Sequence, residues 1–235
     1  MGREAGPVEN LMSCETDPLV HTRVDTPTVM TILKSLQDLQ EYPLLVIFGP
    51  SGAGKSTLIG KLLADPDRGS SYRQSVAVTT RDRREGEEEG VHYHFIAKEE
   101  MLALKNSGML LESSVVYGNH YGTLRADIAH IMATKKIVVM DLGLEALKNI
   151  TKLGLVTKYV FITAEQEELK KRLKGRKSED DHSFKLRVCA NRSLIEFGEN
   201  SNLFDKKIVN SDLDKAYLEL VSFLEKEFKT EEKLI

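Results

Sequence analysis

The sequence predicts an α/β fold, a five-stranded parallel sheet covered by helices on both faces, and three observations predict it. Apolar runs near residues 46, 77, 139, 160 and 208 alternate with helical patterns, as βαβ units do. The first run, Leu44-Leu45-Val46-Ile47-Phe48, leads straight into Gly49-Pro50-Ser51-Gly52-Ala53-Gly54-Lys55-Ser56 and then into the helical stretch Thr57 to Leu63. This matches G-x-x-x-x-G-K-[ST] set between a buried strand and a helix. Lys136-Ile137-Val138-Val139-Met140-Asp141 is a further buried strand, and it ends in a carboxylate.

Composition bounds the rest. With 235 residues, 41% hydrophobic and 29% charged, the chain can bury one α/β domain with inserts, or two small domains. No apolar run reaches the roughly 18 to 20 residues that cross a bilayer, and no stretch of signal-peptide length opens the chain. Met1-Gly2 is followed by Gly6 where acylation needs Ser or Thr, so a lipid anchor is rejected. Cys14 and Cys189 lie far apart without metal-ligand spacing, which suits free thiols in a reducing, cytoplasmic compartment. The net charge of −3 argues against a general nucleic-acid binder. Residues 1–42 hold three bases (Arg3, Arg23, Lys34) and seven acids, a net −4, which leaves +1 for the remainder.

Taken in order, residues 1–27 carry Pro7, Pro18 and Pro27 without periodicity and read as a flexible tail. Met30, Leu33, Leu36 and Leu39 then space a short amphipathic helix that stops before Pro43. After the glycine loop and its helix, Ser75-Val76-Ala77-Val78-Thr79 reads as a strand. It enters a loop from Thr80 to Gly90 with three arginines followed by four acids. A short strand from Val91 to Ile96, a helix from Lys98 to Asn106 and a strand from Met109 to Tyr117 follow. Gly118-Asn119-His120-Tyr121-Gly122-Thr123 reads as a turn and Thr123 to Thr134 as a helix. Residues 79–123 therefore look like an insert. Beyond the Asp141 strand come a helix from Leu144 to Thr151, a strand from Lys158 to Thr163 and a helix from Ala164 to Gly175 with acids first and bases last. A helix from Ser183 to Asn200 and a strand from Lys206 to Asn210 precede the closing helix, Asp212 to Phe228. Asp212 is its N-cap, with Leu213, Ala216, Tyr217, Leu220 and Leu224 on its core stripe. Residues 230–235 form a tail.

The chemistry starts at the glycine loop. Glycines at 49, 52 and 54 let the backbone curl so that N–H groups face phosphate oxygens at the helix N-terminus. Lys55 then supplies a point charge to the outer phosphates, the Ser56 hydroxyl holds Mg²⁺, and Asp141 orders the metal's water shell. A nucleoside triphosphate site follows. Residues 169–192 add nine Lys or Arg against three acids, a concentration suited to phosphate oxygens rather than to nucleic acid beside such a loop. His92 and His94 share one side of a short strand, but no cysteine or carboxylate pattern completes a zinc site. His120 reads as a solvated loop residue.

Together these stretches resemble the guanylate kinases, P-loop nucleoside monophosphate kinases, over residues 43 to 229. The resemblance rests on Gly-Pro-Ser-Gly-Ala-Gly-Lys-Ser-Thr (49–57), Ser-Val-Ala-Val-Thr-Thr-Arg-Asp-Arg-Arg-Glu-Gly-Glu (75–87), Gly-Asn-His-Tyr-Gly-Thr (118–123) and Ile-Val-Asn-Ser-Asp-Leu-Asp-Lys-Ala-Tyr (208–217). It implies a P-loop NTPase-type sheet, a GMP-binding insert at 79–123, a lid at 175–190, and transfer of phosphate from Mg·ATP to GMP. It assigns Arg81 and Arg84 with Tyr93 and Tyr121 to the GMP phosphate, and Glu112 with Thr123 to guanine. Gly49, Pro50, Ser51, Gly52, Ala53, Gly54, Lys55, Ser56 and Thr57 would hold ATP, with Asn210 near adenine. Arg172, Arg176 and Arg187 would be lid arginines that, with Lys55 and Arg81, neutralise the transferred group. Hinges are expected near Thr80 and Thr123 and around Gly175 and Ser183. The implied protein is a cytoplasmic monomer that binds ATP and GMP, with no membrane or nucleic-acid partner and a protein partner open to its N-terminal extension.

Two positions depart from the family pattern: Ala77 replaces a second serine facing the base, and Gly143 replaces a second aspartate after Asp141. Glu145-Ala146 also stands where Gln-Gly is usual. Losing a hydrogen bond to a charged group costs about 1.5–3 kcal/mol. Two alternatives therefore stand beside guanylate kinase: an interaction module without turnover, and a kinase with a broader monophosphate acceptor.

Overall fold

The computed structural model describes residues 43–174 and 181–228. The expected N-terminal helix, the C-terminal tail and Arg176 lie outside the described residues. Five strands, β1 (Leu44–Phe48), β2 (Tyr72–Gln74), β7 (Ile137–Asp141), β8 (Thr157–Thr163) and β9 (Lys206–Val209), form a parallel sheet in the order β2-β7-β1-β8-β9. Every residue of β1 is buried because successive side chains point to opposite faces and helices cover both. Leu45 and Ile47 face a core made with Leu58, Ile59 and Leu62 of α1 (Lys55–Leu63) and with Leu220 and Leu224 of α7 (Leu213–Glu227). Leu44, Val46 and Phe48 face the other layer. There they meet Ile128, Ile131 and Met132 of α3 (Arg125–Ala133) and Leu147 and Ile150 of α4 (Leu144–Thr151). Phe48 stacks on Phe204 at 5.5 Å and meets Phe197 edge-on at 5.8 Å. Each such fully buried side chain contributes about 1.5–3 kcal/mol relative to exposure.

A second, four-stranded sheet in the order β4-β3-β6-β5 is built from β3 (Val78–Thr79), β4 (His94–Phe95), β5 (Leu110–Val116) and β6 (Asn119–Leu124). Val78, Leu110 and Leu124 form its small core with Met101 of α2 (Lys98–Asn106). Here the structure corrects the expected strand 75–79. Tyr72–Gln74 supplies the fifth strand of the parallel sheet, and Val78–Thr79 belongs to the second. The break between them has a cause: the Val76 N–H donates to Asp127 Oδ2 at 3.0 Å, so a side chain takes the place of a ladder partner.

Residues 118–123 are also corrected, from turn to strand. Only Tyr117 and Gly118 turn, both at positive φ (50° and 79°), and Val116 pairs with Asn119. Two successive left-handed residues make the tight hairpin that matches strand twist. The strand expected over 91–96 shrinks to His94–Phe95, since Gly90, Val91 and His92 turn back on Glu88 and Tyr93. Leu213, placed on the core stripe of α7, is exposed at 37%, whereas Ala216, Tyr217, Leu220 and Leu224 are buried. Asp212 caps that helix as expected, accepting from Lys215 N at 2.9 Å. α5 (Gln166–Lys174) and α6 (Asp181–Asn200) complete the set. Among the described residues no helix is long and apolar enough to cross a membrane.

Candidate active site

β1 delivers the glycine loop to the C-terminal edge of the parallel sheet, where open α/β sheets bind ligands. A Cβ on Gly49 would lie 1.9 Å from the Ile162 carbonyl oxygen, so only glycine lets the loop leave β1 against β8. The loop carbonyls are tied to the protein one after another. Lys55 Nζ donates to Gly49 O at 2.9 Å and to Pro50 O at 3.3 Å. Asn191 Nδ2 donates to Ser51 O (2.9 Å), Arg172 Nη1 to Gly52 O (3.4 Å) and Asn210 Nδ2 to Ala53 O (2.8 Å). The first N–H groups of α1 have no partner within the helix and carry its positive end, so an anion satisfies them. Ile47 pairs in register with Asp141 on β7, which brings Asp141 Oδ1 to 3.8 Å from Lys55 Nζ. Ser56 and Asp141 offer the oxygen donors that Mg²⁺ prefers.

Opposite the loop, the second sheet carries the other group of residues. Arg81 makes a bidentate ion pair with Glu87 (Nη2–Oε1 2.8 Å, Nη1–Oε2 3.0 Å), and Arg84 N donates to Glu87 Oε2 at 2.9 Å. The Arg81 guanidinium lies 5.4 Å from the Tyr93 ring centroid, and Tyr93 meets Tyr121 edge-on at 6.0 Å. Burial pushes the Tyr93 phenol up to about 12, and the Asp141 carboxylate adds to the shift, so the two sheets converge here. Burial, then the charges of Arg81 and Arg187, hold Arg84 below its ordinary range. Arg187, on the helix Asp181–Asn200, thus acts on the same spot.

Deeper in the second sheet, Glu112 of β5 faces Thr123 of β6, its register partner, and Thr123 Oγ1 donates to Glu112 Oε1 at 2.8 Å. Both are buried, and Glu112 Oε2 has no hydrogen-bond partner among the described residues. Burial raises the Glu112 carboxyl to about 7, with the Thr123 bond pulling the other way. Such an oxygen is costly to leave unmatched, which marks it for a ligand donor.

These features agree with what comparison finds. The guanylate kinase family model matches residues 41–227. The chain belongs to the guanylate kinase family. Guanylate kinases of Sus scrofa and Schizosaccharomyces pombe are 39% and 38% identical, over 79% and 83% of this chain and 93% and 96% of theirs. A crystal structure of guanylate kinase from Anaplasma phagocytophilum superposes with a TM-score of 0.63 at 26% identity. The match covers 79% of this chain and 86% of that one.

Two of the expected site residues hold the loop itself. Asn210, expected near adenine, is 2% exposed and directs its amide to the loop. Arg172 reaches the back of the loop, with Nε on Glu168 at 2.9 Å and Nη2 on Asn210 O at 3.0 Å. Three contributors are new. Glu87 is one of five acids in the loop from Thr80 to Gly90, and nothing in that loop sets it apart as the partner of Arg81. Thr79 is fully buried, donates to His120 O and accepts from Arg81 N. Asn191 stands one helical turn after Arg187, and that spacing is the signal that could have found it.

Proposed function

We propose that this guanylate kinase family member transfers the γ-phosphoryl group of Mg·ATP to GMP, yielding ADP and GDP. The observation that carries this reading is the buried Glu112 with its unmatched Oε2, set on the sheet that faces a complete phosphate loop. Guanine presents two adjacent donors, N1–H and N2–H₂, to such a carboxylate, whereas adenine offers an acceptor at N1. A site left with an unpaired buried polar group rejects the wrong base by roughly 10⁴ or more.

Catalysis here is positioning and charge neutralisation. Arg81 and Arg84, with the Tyr93 and Tyr121 hydroxyls, hold the GMP phosphate as attacking group. Glu87 holds both terminal nitrogens of Arg81 and so fixes the plane of its guanidinium. The loop N–H groups and Lys55 hold the donor phosphates, and Arg187 joins Lys55 and Arg81 at the transferred group. Ser56 and Asp141 would hold Mg²⁺, which supplies charge to the β- and γ-oxygens when bound. In this reading residues 43–229 are the catalytic domain, 79–123 its GMP-binding insert and 175–190 its lid. The enzyme works as a cytoplasmic monomer, in keeping with the free thiol at Cys189.

A broader acceptor range is the second reading, and it has its own observation: a Cβ at Gly143 would meet nothing within 4 Å, so the family's usual aspartate is replaced by open space. Diphosphate formation from Mg·ATP, with GMP, dGMP, AMP, UMP and CMP offered separately and Lys55→Ala as blank, decides between them. GMP-preferring turnover supports the kinase. Comparable turnover with another base supports the broader acceptor, and none above the blank overturns both.

A further inference from the structure

The side-chain amide of Asn191 takes both hydrogen-bonding groups of one loop residue: Ser51 N donates to its Oδ1 at 2.8 Å, and its Nδ2 donates to Ser51 O at 2.9 Å. Asn191 is 5% exposed, so water competes little for these bonds. The partners are 140 residues apart, and the pair ties the loop to α6, the helix that carries Arg187 one turn earlier. Arg172 of α5 holds the next carbonyl, Gly52 O, so the two helices that flank residues 175–180 are fastened to adjacent loop carbonyls. A glycine-rich loop has many conformations to lose on binding, and restraints already present in the free protein lower that cost.

We propose that Asn191 is a positioning residue for ATP: it pre-sets the phosphate loop and joins it to the lid-side helix, without touching the nucleotide. The proposal rests on the reading of the loop as the ATP site. Two hydrogen bonds of ordinary net strength correspond to roughly tenfold in affinity, about 1.4 kcal/mol.

The test is titration calorimetry and steady-state kinetics on the full chain with Asn191→Leu, close in volume, and Asn191→Ala. The probes are the non-hydrolysable Mg·AMPPNP and, separately, GMP. The expected result is a roughly tenfold weaker AMPPNP affinity and a matching rise in KM for ATP in both variants, with GMP affinity within about twofold of the parent. Unchanged AMPPNP affinity in a folded variant overturns the proposal, and so does an equal loss for both nucleotides, the mark of general damage. If the parent itself fails to bind AMPPNP, it is the ATP-site reading that falls.

Discussion

At the residue scale, Glu112 joins stability to the proposed recognition of guanine. Its carboxyl is raised by burial from 4.5 to about 7, so the folded protein binds more protons than the unfolded chain between those values. The contribution of Glu112 to stability is therefore greatest below the unfolded value, declines as pH rises through that window and levels off above about 7, a change on the order of 3 kcal/mol for this one group. Thermal melts of the parent and of Glu112→Gln should show it: the neutral variant lacks this decline and is the more stable of the two at pH 8. Under the proposed guanine contact, binding runs the opposite way, because guanine donors need the carboxylate. KM for GMP should fall from pH 6 to pH 8 in the parent and stay high and flat in Glu112→Gln. Glu87 gives a second test. Without it Arg81 loses two bonds that aim its guanidinium, so Glu87→Ala should lower kcat/KM for GMP by roughly tenfold and leave KM for ATP unchanged.

At the element scale, the parts that depend on local pattern were legible and those that depend on long-range partners were not. Helices Lys98–Asn106 and Leu144–Thr151 lie where the sequence places them, since their apolar spacing and first-turn acids act within a few residues. The parallel strands at 46, 139, 160 and 208 were legible for the same reason. The run at 75–79 was not, because its break depends on Asp127, which is 51 residues away. Glu112 and Thr123 came from the family pattern, and their hydrogen bond needs the β5–β6 pairing that no spacing reveals. Asn191 carries only the one-turn spacing from Arg187 as a signal, and that spacing names a helix face without naming Ser51, the peptide group it binds 140 residues away. The cap at Asp212 offers a control: Asp212→Ala should cost about 1 kcal/mol in urea unfolding while kcat stays within twofold, since its bond to Lys215 serves the helix alone.

At the scale of the whole molecule, the proposed function puts the two nucleotides on different sheets, and ligands that bind only the folded state add stability by mass action. GMP or AMPPNP at 100 times its Kd should each raise stability by about 2.7 kcal/mol. In Glu112→Ala the melting shift with GMP should shrink sharply while the shift with AMPPNP persists. Loss of both shifts together would contradict a division of tasks between the sheets.

The Val76–Asp127 bond bears on chain economy too. The second sheet begins at Val78 and ends at Leu124, and Val78 pairs with Gly122, so its first and last strands lie side by side. Asp127, just beyond the exit, holds Val76, just before the entry. To the parallel sheet, everything between is a closed excursion whose length matters little, since loop-closure entropy grows only with the logarithm of length. A different sheet with neighbouring ends could be spliced between residues 76 and 127 only if it also replaced Leu111, which β5 lends to the core around Phe48 and Leu147.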